Sequence, residues 1–203
     1  MPDLPSRRER EVEIAAALLL LFRNQRETGF FLPGAFAHEA AAALREPLAK
    51  AYIEAAEQLA REKGITLDPD ELDSKAAAWA ASQAGFTADR LANRLDMAVM
   101  RAKIGSVTAD DFQAAIDGVL SDTQAEVLTA TQVTAAVTAG EAAVIGLAIL
   151  MGMALAATWH TVRDGRVCSA CEPLDGQPEE VWMLDAPAGP PHHPNCRCWL
   201  DYA

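Results

Sequence analysis

Aromatic side chains make up only 6% of the 203 residues, and no cysteine occurs before position 168. A core dominated by large rings is excluded, as is a disulfide framework over the first 167 residues. Proline is missing from Asp70 to Glu172, a run of 103 residues. Each interior proline would cost a helix about 3 kcal/mol, so this run is open to long helices. Basic excess is also lacking, with 17 Lys+Arg against 29 Asp+Glu and a formal charge of −12. That balance excludes a strongly basic nucleic-acid-binding domain, although not a local patch. Near the N-terminus, Glu11 and Glu13 interrupt any apolar run that could follow the arginines, so no signal peptide is expected.

What is present is alanine and its usual helical companions. The chain is 51% hydrophobic, but 42 residues are alanine, which reads as helix propensity more than as core volume. The expected fold is mainly α: an elongated helical body over residues 1–140, an apolar buried helix over 141–158, and a small, loop-rich α+β module over 159–203. Ser6, with Glu9 three residues on, opens the first helix, which stops near Gly29. A second runs from Ala37 to Lys63 and ends at Gly64, Pro47 inside it suggesting a kink or a boundary at Glu46. A third starts at Asp68 or Asp70 and reaches Ala84; Gly85 and Thr87 open a fourth that ends near Gly105. Thr108 begins the next, and Ser121 or Asp122 caps another.

Charge is wholly absent from Ala142 to Val162, and about 17 of these residues are strongly apolar, the lower limit for spanning a bilayer. A helix buried on all sides competes with a membrane-inserting one. The lack of flanking Lys/Arg clusters favours the buried helix.

All four cysteines fall in the last 36 residues, as Cys168-x-x-Cys171 and Cys196-x-Cys198 with 24 residues between the pairs. The first spacing turns two thiolates toward one metal, and the second puts two sulfurs on one face of an extended segment. A tetrahedral structural zinc site would draw four ligands from Cys168, Cys171, His193, Cys196 and Cys198, with His192 as substitute for His193. Two disulfides and free thiols are the competing readings. Around the cluster, Asp164-Gly165 signals a β-hairpin, Val181–Leu184 a third short strand, and Trp159, Trp182 and Trp199 a miniature apolar cluster.

The string WHTVRDGRVCSACEPLDG, from Trp159 to Gly176, followed by PPHHPNCRC, from Pro190 to Cys198, resembles the C-terminal signature of the phage Mu F-like minor head proteins, or phage head morphogenesis proteins. Upstream, LTATQVTAAVTAG, from Leu128 to Gly140, stands where that family carries a T-E-hydrophobic motif and an A-x-x-x-G helix, with Gln132 in place of the usual glutamate. The resemblance implies a non-enzymatic minor capsid protein of a tailed phage or prophage. Its place would be the head interior or portal region of the virion, and the host cytoplasm during assembly. Its partners would be the portal protein and capsid interior, with a role in head assembly, genome packaging or DNA delivery and no small-molecule substrate.

Packaged DNA could be met only through Arg7, Arg8, Arg10, Arg23 and Arg26, among which Asp3, Glu9, Glu11 and Glu13 leave a net charge of about +1. The alternatives are a membrane-active ejection protein using residues 142–158, and a metal- or thiol-dependent hydrolase or toxin-like module pairing His160, His192 or His193 with a cysteine. Chelating cysteine pairs would close the coordination sphere and argue against catalysis.

Overall fold

The computed structural model describes residues 7–28, 32–105, 108–162 and 168–203. Helix α1 (Arg7–Thr28) buries Ile14, Leu18, Leu21 and Phe22, spaced three and four residues apart on one face. The cap expected at Ser6, the stop at Gly29 and the Asp164-Gly165 turn all lie outside the described residues.

Helix α2 (Pro33–Lys63) begins four residues before the expected Ala37. Pro33 sits in the first turn, where its missing N–H would have had no partner, and the Phe36 N–H donates to the Leu32 carbonyl at 3.0 Å. The helix runs through Pro47 without the expected boundary at Glu46. Pro47 is buried beside Leu44 and Leu48, so this face supports the helix past one missing backbone bond. Gly64 ends it at φ 67°, and the Ile65 N–H reaches back to the Ala60 carbonyl at 2.8 Å.

The two helices expected on either side of Gly85 are one, α3 (Pro69–Ile104). Ala76, Ala80, Ala84, Ala88 and Ala92 form a buried ridge with a spacing of four that crosses Gly85, and Thr87 is buried instead of capping. Continuous packing outweighs the roughly 1 kcal/mol that a mid-helix glycine costs. Seventeen of the 42 alanines are buried. Alanine therefore contributes to the core directly, by letting helices approach closely, as well as through propensity.

Thr108 caps α4 (Ala109–Val119) in a reciprocal box with Asp111, and the Ser121 hydroxyl caps α5 (Asp122–Leu150) through the Gln124 N–H at 3.2 Å. The apolar stretch after Gly140 is the end of α5 and not a helix over 141–158. Gly152, at φ 77°, stops it, the Gly152 N–H bonding to the Ile149 carbonyl and the Met153 N–H to that of Ala148. Nor is this end buried on all sides. Val144 and Ala148 face inward, whereas Ile149, Leu150 and Met151 are 64%, 85% and 58% exposed. Helix α5 is long and apolar enough to cross a membrane by length and composition, yet it packs along α1 and α2.

The chain then enters β1 (Ala157–His160), whose antiparallel partner is β2 (Trp199–Tyr202), pairing Ala157 with Tyr202 and His160 with Trp199. The segment expected as a third strand is a helical turn, α6 (Glu179–Trp182). Pro178 precedes it, Glu179 and Glu180 occupy its first turn, and it places the Trp182 ring 5.8 Å from that of the fully buried Trp159. Trp199 does not join these two; it stacks on His160 at 5.4 Å.

The helices share a core of Phe22, Phe36, Leu44, Leu95, Ile116 and Leu120. A second cluster joins Tyr52, Ala56, Leu59 and Val144 of the helices to Trp159, Leu174, Trp182 and Leu200. The small module thus completes its core with side chains of α2, α3 and α5.

Candidate metal centre

Cys168 and Cys171 lie on a tight turn. The Cys171 N–H is within 3.3 Å of the Cys168 sulfur, and the Glu172 N–H donates to the Cys168 carbonyl at 3.0 Å. This turn runs into a short 3₁₀ segment, Glu172–Leu174, with Leu174 buried beneath it. The second pair arrives on the loop into β2, where the Cys196 N–H donates to the His193 carbonyl at 3.1 Å. Asn195, at φ 62°, makes the bend; asparagine tolerates this left-handed conformation better than most residues.

The two segments bring five donors together. His193 Nε2 stands 2.8 Å from the Cys168 sulfur and 3.1 Å from that of Cys171, and the sulfurs of Cys171 and Cys196 are 4.0 Å apart. Cys168, Cys171 and His193 form one group of mutually close ligand atoms, and Cys171, Cys196 and Cys198 form another. In tetrahedral zinc sites with bonds of about 2.3 Å to sulfur and 2.0–2.1 Å to nitrogen, neighbouring ligand atoms stand roughly 3.6–3.8 Å apart. The separations within the groups lie on either side of that edge, and the two groups, joined through Cys171, each match part of such a coordination shell. His193 Nδ1 lies 2.7 Å from the Pro194 carbonyl, an arrangement that holds the proton on Nδ1 and leaves Nε2 free to ligate.

Electrostatics point the same way. Burial pushes the Cys171 thiol up to about 12, with the Cys196 charge adding to the effect. Cys196 is drawn down to about 5, first by a hydrogen bond from the Cys198 thiol, which in turn is held well above its ordinary range. One sulfur ionises at its neighbours' expense, as expected when several thiolates crowd into a half-dry space without a cation. A divalent ion is the species that lets them ionise together.

The remaining candidates lie elsewhere. The His192 ring sits edge-on to His193 with centroids 6.4 Å apart and belongs to neither ligand group. His160 is stacked on Trp199. Of the N-terminal arginines, Arg7 is buried, bonding to Glu11 at 3.1 Å and Thr134 at 2.8 Å. Arg10 pairs with Glu9, Glu13 and Glu54, and Arg26 with Asp122. Only Arg8 and Arg23 of the five are exposed.

Sequence reasoning missed the clasp that seats this loop on α5. The Thr131 hydroxyl accepts the Asn195 N–H at 2.8 Å, and the Thr134 hydroxyl donates to the Cys196 carbonyl at 2.7 Å. Both threonines lie in the Leu128–Gly140 segment, where threonines one turn apart on an apolar helix were the available signal. In the same segment, buried Gln132 accepts from Gln83 at 3.0 Å. Gly140 lies so close to α2 that an added Cβ would meet the Tyr52 carbonyl oxygen at 2.2 Å.

The profile of the family described as Phage Mu protein F like protein matches residues 75–201, from α3 to β2, and takes in all four cysteines. Among curated proteins and among solved structures, none matches the chain. The match covers more than half of the chain and includes the clasp, the close-packed Gly140 and the whole donor cluster: the chain belongs to the phage Mu F-like family.

Proposed function

We propose that the chain is a non-enzymatic minor component of a tailed-phage head. Its helical body docks on the portal or the capsid interior, and its C-terminal module is stapled by a structural zinc ion. The observation that carries this is the family match, which spans the donor cluster and the helices beneath it. The family is one of head morphogenesis proteins, which supports a virion or particle-assembly setting and contact with other virion components. Mass spectrometry of purified proheads and virions tests the placement: peptides of this chain in both are expected, and their absence from both overturns it.

Within the module, Cys171, Cys196 and Cys198 would hold the ion from the buried side, and the fourth ligand would come from Cys168 or His193. Zinc would supply a cross-link between two loops that have few bulky apolar residues of their own. Four protein ligands leave no open position for water, which supports a structural use over hydrolysis. Metal analysis of the purified chain should return about one zinc per chain, with thiols unreactive until it is removed. One hyper-reactive thiol with no bound metal would favour a nucleophile instead.

Contact with DNA would be limited, because three of the five N-terminal arginines are engaged with neighbouring protein groups. Retardation of duplex DNA is expected only at low salt.

A further inference from the structure

The outward face of α3 carries a pattern that neither the core nor the cysteine cluster uses. Phe86, Arg90, Asn93, Met97, Met100 and Ile104 follow one another at spacings of 4, 3, 4, 3 and 4 residues. At 100° per residue they fall in one stripe, opposite the buried face formed by Ala84, Ala88, Leu91, Leu95 and Val99. The four large apolar members are 58%, 52%, 48% and 81% exposed, in chain order, and Asn93 and Arg90 are exposed as well. The Arg90 guanidinium lies 5.4 Å above the Phe86 ring and extends the stripe over it.

Charge is sorted along the two edges of the stripe. Asp89 and Asp96 border one side, with Lys103 beyond them, and Arg94 and Arg101 the other, Arg94 also donating to Gln124 at 3.0 Å. In heptad terms the stripe supplies positions a and d, the two aspartates occupy g, and the two arginines occupy e.

We propose that this face pairs with the same face of a second copy of the chain, as a short parallel two-helix coiled coil. In a parallel pair, position g of one helix meets position e of the other five residues on. Asp89 then meets Arg94 of the second copy and Asp96 meets Arg101, on both flanks at once. An antiparallel pair would set aspartate against aspartate and arginine against arginine. A partner of unrelated sequence would not require the two edges to complement each other at this interval. A lipid surface is disfavoured by Asn93 and Arg90 within the stripe and by charges of both signs along it. Asn93, at a d position, faces its own copy and adds a polar core pair at some cost in stability. With fewer than three heptads and two polar core positions, the association is a weak one that local concentration strengthens.

Sedimentation equilibrium of the full chain, from micromolar to submillimolar concentration, tests the pairing. The mass should rise toward that of a dimer and fall back in high salt. Joint Met97→Glu and Met100→Glu replacement should leave a monomer at every concentration, with the melting temperature and circular dichroism of the parent because both sites are exposed. Joint Asp89→Arg and Asp96→Arg replacement should weaken the dimer about tenfold, and adding Arg94→Asp and Arg101→Asp should restore it. A parent chain that stays monomeric throughout, or a dimer indifferent to the methionine replacements, overturns the proposal. Failure of the fourfold charge exchange to restore pairing overturns the parallel register.

Discussion

Cys171 belongs to both groups of close ligand atoms, whereas Cys168, half-buried at the edge, belongs to one. Cys168→Ser leaves Cys171 as the donor that joins His193 to Cys196 and Cys198. Cys171→Ser removes the donor common to both groups. The expected outcome is that Cys168→Ser keeps most of its zinc through gel filtration with a mild chelator, while Cys171→Ser loses it. Equal loss in both variants would show that Cys168 is as necessary a ligand as Cys171.

A second residue sets a pH dependence of its own. Burial pushes the Glu141 carboxyl up to about 8; Glu62 and Asp201 add to the effect, Arg7 opposes it, and Tyr202 closes the same small cavity. Its Oε2 finds no hydrogen-bond partner among the described residues. The unfolded chain releases this proton near 4.5 while the folded chain retains it to about 8, so stability falls as pH rises through that window. Glu141→Gln should therefore raise the melting temperature at pH 8 by more than at pH 5, through a gain on the order of a few kcal/mol.

Among the elements, α3 and α5 contain glycines with opposite consequences. An added Cβ at Gly85 meets nothing within 4 Å, and the helix passes straight through it. Gly85→Ala should stabilise by about 0.5–1 kcal/mol, as expected for an uninterrupted helix and not for a break. At Gly140 the added atom would meet the Tyr52 backbone, and Gly140→Ala should destabilise by roughly 1–3 kcal/mol as α2 and α5 are forced apart. Urea denaturation of both variants decides whether the signs differ as stated.

The same helices show what could be read from the sequence. The caps at Asp68, Thr108 and Ser121 and the stop at Gly64 were legible because each depends on local hydrogen bonding. The continuity of α3 past Gly85 was not, because long-range burial decided it. The cysteine pairs were legible through ligand spacing. The clasp by Thr131 and Thr134 depends on where α5 lies beneath a loop more than sixty residues away, which spacing alone does not record. The strand expected at Val181–Leu184 failed because one tryptophan, Trp182, docks on Trp159 more readily from a helical turn.

Across the molecule, the decisive feature is that the metal loop and the helices share contacts on two sides. On one, Trp159, Trp182 and Leu200 pack with Tyr52, Leu59 and Val144 in a single apolar cluster. On the other, Arg7 at the start of α1 bonds to Thr134, which bonds to the Cys196 carbonyl between the chelating residues. Lys63 at the end of α2 also donates to the Tyr202 carbonyl at the chain's last strand. Loosening the loop therefore uncovers helix surface and leaves the buried Thr134 hydroxyl without its acceptor, at a cost of about 1–3 kcal/mol. A module tied in this way should not melt alone. Adding a strong zinc chelator should move one cooperative unfolding transition, followed both by helical circular dichroism and by tryptophan fluorescence, to lower temperature. Raising free zinc should move it back by an amount logarithmic in concentration. If the fluorescence transition instead separates from an unmoved helical one, the module and the body are energetically independent, and the Arg7–Thr134–Cys196 connection transmits nothing between them.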